Sequence, residues 1–278
     1  MAGTLYLVAT PIGNLGDLTF RGVETLKQVD FIAAEDTRVT VKLLNHLEIK
    51  KPMVSYYRHN TGTRGEELIA RLLAGESCAL VTDAGTPAIS DPGEELVAQC
   101  AQHEIPVVPI PGACAFVNAL AVSGLPTGRF TFEGFLAMNK KNRRSHLESL
   151  VGETRTMIFH EAPHKLPATL KDLREAFGAD RRISLCRELT KLHEQVWRTT
   201  LGEAADHYAQ TPPKGEFVLV VEGAPQQEKE SYTLEEGLEQ VEKRLEEGTS
   251  LRDAVKQTAA AMGLSRKALY DLAVSRKD

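Results

Sequence analysis

The chain has 278 residues, 42% of them hydrophobic and 26% charged, and a formal net charge of −5. That length calls for two or three cores, and the balance is ordinary for a water-soluble globular protein. No apolar run reaches bilayer length and no basic-then-apolar leader precedes the first strand-like run, so a cytoplasmic protein with no membrane partner is expected. Cys78, Cys100, Cys114 and Cys186 have neither disulfide nor zinc spacing and read as buried thiols.

In chain order, short apolar runs at Leu5–Ala9, Phe31–Ala34, Met53–Tyr56, Ala79–Val81 and Val107–Ile110 predict five strands, and helical spacing predicts helices over Gly62–Leu73 and Gly93–Gln102. Runs of Val, Leu and Ala with no room for charge suit a parallel sheet buried on both faces. Three of them end in Gly/Pro-rich turns: Thr10-Pro-Ile-Gly-Asn-Leu-Gly16, Thr82-Asp-Ala-Gly-Thr-Pro87 and Pro109-Ile-Pro-Gly-Ala-Cys-Ala-Phe116. Loops leaving the carboxyl ends of parallel strands converge on one crevice, so a backbone-lined pocket for a nucleotide-like ligand is expected there. The first turn lacks the opening glycine of the dinucleotide fingerprint, and the chain has no phosphate loop, which argues against a nucleoside triphosphatase.

Ala33-Ala-Glu-Asp-Thr-Arg38 sets two carboxylates and an arginine where a strand gives way to a helix. Asp36 or Thr37 as a helix cap with a surface Glu35–Arg38 pair explains it, and so does a carboxylate that takes a proton from a hydroxyl nucleophile.

Leu125-Pro-Thr-Gly128 is a break. Beyond it, strands over Phe130–Leu136, Thr156–Phe159, Ile183–Cys186, Val196–Thr200 and Phe217–Val221, with helices over Lys140–Leu150, Lys165–Phe177 and Glu203–Ala209, predict a mixed sheet. His160-Glu-Ala-Pro-His164 spells a zinc-protease motif, but Pro163 bars the helix that motif requires; Glu161 and His164 are expected to face the crevice instead. Gly223–Ser231 reads as a linker. Leu234–Leu245, Leu251–Ala261 and Arg266–Val274 then read as amphipathic helices, with Gly263 ending one and Ser265 capping the next in a helix-turn-helix outline. Basic residues cluster at Lys140, Lys141, Arg143 and Arg144 and again in the tail at Arg266 and Lys267, where a nucleic-acid surface and a plain solvated docking face are both open readings.

Taken together, Leu5–Asp17, Ala33–Arg38, Leu80–Pro92, Val108–Gly112, Gly124–Pro126, Phe132–Leu136, Arg187–Lys191 and Gly215–Gly223 resemble the ribosomal small-subunit RNA methyltransferases of the tetrapyrrole-methylase superfamily, which methylate the ribose 2′-oxygen of a cytidine in 16S rRNA. After Gly134-Phe-Leu136, where that family carries a proline and a basic residue, this chain has Ala137-Met-Asn139. The resemblance implies an α/β class III methyltransferase of the two-domain tetrapyrrole-methylase type, with domains at 1–122 and 123–226 and a small helical domain at 227–278. It implies S-adenosylmethionine folded into the interdomain cleft with no metal, 16S rRNA or the 30S subunit as partner, and a homodimer. Carried over as cofactor contacts are Pro11, Asp83, Ala84, Gly85, Thr86, Ile89, Ser90, Ala113, Cys114, Ala115, Phe116, Phe159, Glu161 and Ala162. Glu35, Asp36 and Arg38 are the candidates for proton removal and nucleotide positioning, with His59 as an alternative positioning group; Lys140, Lys141, Arg143, Arg144, Arg266 and Lys267 are the candidates for RNA contact. Two other functions fit the same residues: methylation of a tetrapyrrole, and RNA binding without catalysis.

Overall fold

A computed structural model of the chain describes residues 2–58, 60–225 and 232–276, which fall into two compact units, Met1–Ala224 and Pro225–Asp278. In the first unit, β1 (Leu5–Val8), β2 (Phe31–Ala34), β3 (Met53–Ser55), β4 (Cys78–Val81) and β5 (Val107–Ile110) form a sheet in the order β3-β2-β4-β1-β5, every pair parallel. β2 and β4 are buried along their whole length, which is why they carry no polar alternation. Helices α1 (Phe20–Gln28) and α2 (Thr37–His46) give Leu26 and Leu44 to the core on one face; α3 (Thr61–Leu73) and α4 (Gly93–Gln102) give Leu68, Leu72 and Leu96 to the other. Thr19 caps α1 by accepting from the Gly22 amide, and Asp36 caps α2 by accepting from the Arg38 amide at 2.8 Å.

The second sheet runs β6-β7-β10-β8-β9, with β6 (Phe130–Phe135) parallel to β7 (Thr156–Glu161) and the rest, β8 (Arg182–Arg187), β9 (Gln195–Thr200) and β10 (Phe217–Val221), antiparallel, a mixed sheet as the sequence predicts. Helices α6 (Lys140–Ser149), α7 (Leu166–Phe177) and α8 (Leu201–Gln210) cover one face through Leu147, Leu170, Leu173 and Leu201. The opposite face is covered by α5 (Ala115–Val122), which leaves the first sheet at β5 and lays Ala119 and Leu120 against Ile158, Val218 and Val220. That packing fastens the first sheet's loops to the second sheet and fixes the cleft between them. Arg198 ties off its end, donating to the carbonyl oxygens of Val122 at 2.5 Å and Ser123 at 3.2 Å.

The second unit is three helices, α9 (Leu234–Glu246), α10 (Leu251–Met262) and α11 (Arg266–Ser275), around Leu238, Val241, Val255 and Leu269. Thr233 and Glu236 form a capping box on α9. Gly263 ends α10 in the left-handed region at φ 66°, and the Ser265 hydroxyl accepts from the Ala268 amide. Among the described residues no helix is long and apolar enough to cross a membrane. Cys78, Cys100 and Cys186 are buried, whereas Cys114, read as buried from sequence, is only half-buried because it sits at the open start of α5.

Candidate active site

Three loops at the carboxyl edge of the first sheet are knitted together by backbone. Thr10 and Gly85 exchange amide bonds at 2.9 and 3.0 Å, the Thr10 hydroxyl donates to the Thr82 carbonyl at 3.0 Å, and the Thr86 hydroxyl donates to the Ala113 carbonyl at 3.1 Å. Gly85 takes φ +88°, and a Cβ on Gly112 would stand 2.9 Å from the Ala9 Cβ, so both positions need glycine. The Asp91 carboxylate organises the rest of the middle loop, accepting from the amides of Ala88 at 3.0 Å, Ile89 at 3.2 Å and Gly93 at 2.7 Å. It thereby holds Ala88 and Ser90 at φ 66° and 67°, a strained conformation that non-glycine residues keep only where their surroundings dictate it.

Between these loops and the second sheet lies a cavity of about 340 Å³, within the range of small-molecule sites. Ile12, Ala84 and Ala115 form one wall; Phe135, His160, Glu161 and Ala162 contribute to the other. Lys191 closes one side, its ammonium bonded to Glu188 at 2.9 Å and Glu216 at 2.6 Å and its methylenes lying over Gly13, while the Thr190 hydroxyl donates to Asp17. Sequence reasoning left Lys191, Glu188 and Asp91 out of the site, although all three stand inside the motifs that carried the resemblance.

Of the residues assigned to the cofactor, Ala84, Ala115, Glu161 and Ala162 line the cavity. Pro11, Asp83, Gly85, Thr86, Ala113 and Cys114 belong to the knitted loops beside it, and Ile89 and Ser90 to the exposed arm held by Asp91. Two assignments need correction. The Phe159 side chain is fully buried on the helix-covered face of the second sheet, because strand alternation sends it away from the cavity and sends His160 toward it. Phe116 stacks on Phe132, with ring centroids 4.5 Å apart, and packs between α5 and the second sheet. His164, expected to face the crevice, lies exposed in a 3₁₀ turn, Pro163–Lys165, outside the cavity lining. The Glu161 carboxylate is already engaged by the Ala162 amide at 2.8 Å and the Thr169 hydroxyl.

Glu35, Asp36 and Arg38 gather at an adjoining hollow with Ser55 and Tyr57. Glu35 is half-buried and its carboxyl is pushed above its ordinary 4.5, first by that burial, against a backbone bond from Asp83, and then by the Asp83 and Asp91 charges, with Arg58 opposing. It accepts a long bond, 3.5 Å, from the Asp83 amide, and the next residue, Ala84, lines the cavity. Asp36 is the opposite case: bonded to the Arg38 guanidinium and amide, its carboxyl falls to about 2. Its own amide donates to the Asp83 carboxylate at 3.1 Å. Arg38 is 87% exposed in its side chain and so presents its charge to solvent. His59 lies outside the described residues; Arg58 stands next to it in sequence.

Lys140, Lys141 and Arg144 are exposed on α6, Arg144 paired to Glu148 one turn on. Arg143 is different. Its side chain is only 12% exposed, and its guanidinium bonds Asp172 at 2.5 Å and the Thr169 hydroxyl at 2.8 Å, tying α6 to α7. Replacing Arg143 by alanine is therefore expected to lower stability by about 1–3 kcal/mol, read by urea unfolding, with no change in the salt dependence of RNA binding. In the second unit Arg266 and Lys267 line an open hollow of about 490 Å³ with Arg252, Tyr270 and Asp271.

A twin-sheet α/β unit with glycine-stiffened loops facing a cavity is the architecture of the tetrapyrrole (corrin/porphyrin) methylases, and the chain matches that family over residues 4–205. Residues 233–277 match the RsmI C-terminal HTH domain. Ribosomal RNA small subunit methyltransferase I of Synechocystis is 51% identical over 272 residues, covering 98% of both chains, and that of Halalkalibacterium halodurans is 49% identical, covering 97% of this chain and 94% of its own. The chain belongs to the ribosomal RNA small subunit methyltransferase I family and is a methyltransferase. Among solved structures, diphthine synthase superposes with a TM-score of 0.60 at 15% identity, covering 80% of this chain and 90% of its own. Uroporphyrin-III C-methyltransferase of Thermus thermophilus, complexed with S-adenosylhomocysteine, gives 0.54 at 20% identity, covering 78% and 97%; both likenesses speak for the fold.

Proposed function

We propose that this enzyme moves the methyl group of S-adenosylmethionine to the ribose 2′-oxygen of a cytidine in 16S rRNA, acting in the cytoplasm, with lobes at 1–122 and 123–226 and a tail domain at 227–278. The observation that carries the reading is full-length similarity to relatives named for small-subunit rRNA methylation. The cavity suits the cofactor: its walls are largely apolar side chains and backbone, and the charged groups on its lining are engaged, Lys191 by Glu188 and Glu216 and Glu161 by Thr169.

The bound cofactor supplies a methyl group already activated by a sulfonium. The chain's part is to align it with the incoming oxygen, a contribution of about 7–11 kcal/mol in well-oriented reactions, and to take the hydroxyl proton. The assigned loop residues Pro11, Asp83 to Thr86 and Ala113 to Ala115 serve the first task. Glu35 serves the second, since burial makes its carboxylate more basic, whereas Asp36, held near 2 by Arg38, is a weak base and positions Arg38 for a phosphate. A carboxylate base is active only when ionised, so kcat/KM should rise tenfold per pH unit up to the raised pKa of Glu35 and then level off. Asp83→Asn removes a like charge from Glu35, favours its ionised form and should move that limb toward acid; an unmoved limb in a pH–rate profile would count against Glu35.

For RNA, the reading relies on Lys140, Lys141 and Arg144 on α6 and on Arg266 and Lys267 in the tail. Replacing Lys140 and Lys141 by serine should reduce the slope of log affinity against log salt by about 1–2. For the homodimer, support comes from Leu15 in a 3₁₀ turn, Phe20 at the start of α1 and Leu192 in the β8–β9 loop, which are 50%, 91% and 94% exposed, the turn and the loop being joined by the Thr190–Asp17 bond. The test of function is transfer of labelled methyl to unmodified 30S subunits, with free rRNA and a corrin precursor as parallel acceptors. Label in alkali-resistant ribose of the small-subunit RNA supports the reading, label only in the tetrapyrrole moves the enzyme to that substrate, and label in neither leaves an RNA-binding protein.

A further inference from the structure

Phe135 stands on the unexpected face of its strand. Phe132 pairs with Ile158 and packs on the α5 side, and strict alternation would send Phe135, three residues further on, to the helix-covered face. Instead the register of β6 on β7 shifts between Phe132 and Gly134, where Gly134 takes φ +62°, and Phe135 comes level with His160 on the side of the cavity. Phe132 and Phe135 accordingly both lie against the His160 ring, at centroid distances of 5.2 and 5.4 Å, and Leu136 enters the core under the helices. A bulge of this kind re-aims a side chain beside a site. Here it delivers an aromatic ring that lines the cavity and is nonetheless 56% exposed, whereas the other phenyl ring of the lining, Phe217, is buried. Three residues on, Met138 is 81% exposed.

Exposed apolar side chains beside a cavity mark a binding surface, and the charge around them decides for what. Lys140 and Lys141, both exposed, open α6 directly after Met138 and Asn139. A ring, a thioether and two cations along one short segment suit a nucleotide, because a base has a flat face for the ring and its phosphates meet the ammonium groups. The reaction itself requires such a place. A ribose hydroxyl reaches a methyl group held inside a cavity only if its nucleotide leaves the stack, and the unstacked base then needs a new apolar face at the entrance. We propose that Phe135 is a substrate-positioning residue, the platform on which the base of the nucleotide to be methylated stacks at the cavity mouth, with Met138 extending that platform toward Lys140 and Lys141. This rests on the RNA-methylation reading given above.

The test is methyl transfer by the full-length protein to unmodified 30S subunits, measured beside calorimetric titration with S-adenosylhomocysteine. Phe135→Leu keeps an apolar side chain and loses the flat ring, so kcat/KM for 30S subunits should fall about tenfold, the scale of one stacked base. Phe135→Tyr, which keeps the ring, should hold within about twofold of the unaltered enzyme. Affinity for S-adenosylhomocysteine should stay within about twofold in both, which a merely structural role in the cavity wall would not allow. Met138→Ser changes a side chain outside the core and should raise KM for 30S subunits about threefold, so it carries the test should Phe135→Leu fail to fold. An unaltered kcat/KM in Phe135→Leu, an equal loss in the leucine and tyrosine variants, or a cofactor affinity that falls with the rate would overturn the assignment of Phe135 while the RNA-methylation reading stands. If the unaltered protein labels neither 30S subunits nor free rRNA, that reading fails and the platform with it.

Discussion

Glu35→Gln should reduce turnover in methyl transfer by about 10²–10⁴-fold, the range for loss of a positioned general base. Affinity for S-adenosylhomocysteine should hold within about twofold, because Glu35 touches the cofactor loop only through its long bond from the Asp83 amide. A glutamine oxygen can still accept that bond, so the loop keeps its shape and only basicity is lost. Asp36→Asn sets the scale: asparagine still caps α2 and only the exposed Arg38 pair is weakened, so stability should hardly change and the loss of rate should be smaller. Single-turnover kinetics beside thermal unfolding separate the two. Should Asp36→Asn prove the more damaging to chemistry, the roles assigned to these neighbours are reversed.

The second large effect falls on the cofactor loops. Gly85→Val puts a branched side chain where φ is +88° and where even a bare Cβ would already lie 3.5 Å from the Ile12 methyl. Left-handed backbone costs an ordinary residue about 1–2 kcal/mol and a β-branched one more, and relief would break the paired amide bonds with Thr10 that hold two loops in register. Cofactor affinity should fall about 10–100-fold, with stability lower by about 2 kcal/mol. Gly85→Ala should show a smaller loss in both. Gly128→Ala, at a glycine with nothing within 4 Å of its Cβ position, should show neither. Equal effects at 85 and 128 would mean that the loop conformation is incidental.

The strands were legible in sequence to within a residue or two at either end; β2, β4 and β10 are buried throughout and read as uninterrupted apolar runs, whereas β6 and β9 were read from their β-branched and aromatic residues. Helix α1 was not legible, and of α2 only the start at the Asp36 cap was. Phe20 is 91% exposed and breaks the stripe of α1, and Val39, Thr40 and Val41 give α2 a strand-like composition that its Asp36 cap overrides. Within the site, the loops that meet at the strand ends were readable because the parallel topology alone brings them together. Facing was not readable: Phe159 and His160 are adjacent in a strand with apolar residues on both sides, and only the position of α5 and α7 on opposite faces decides which one reaches the cavity. Nor could sequence separate Arg143 from its neighbours, since its partner Asp172 lies 29 residues away on another helix.

The most direct measurement is a crystal structure of the protein with S-adenosylhomocysteine. The account predicts the ligand in the cavity between the sheets, with its sulfur toward the Asp83–Gly85 loop on the side of Glu35. Ligand outside that cavity, or sulfur turned away from Glu35, would contradict both the site and the role given to the carboxylate.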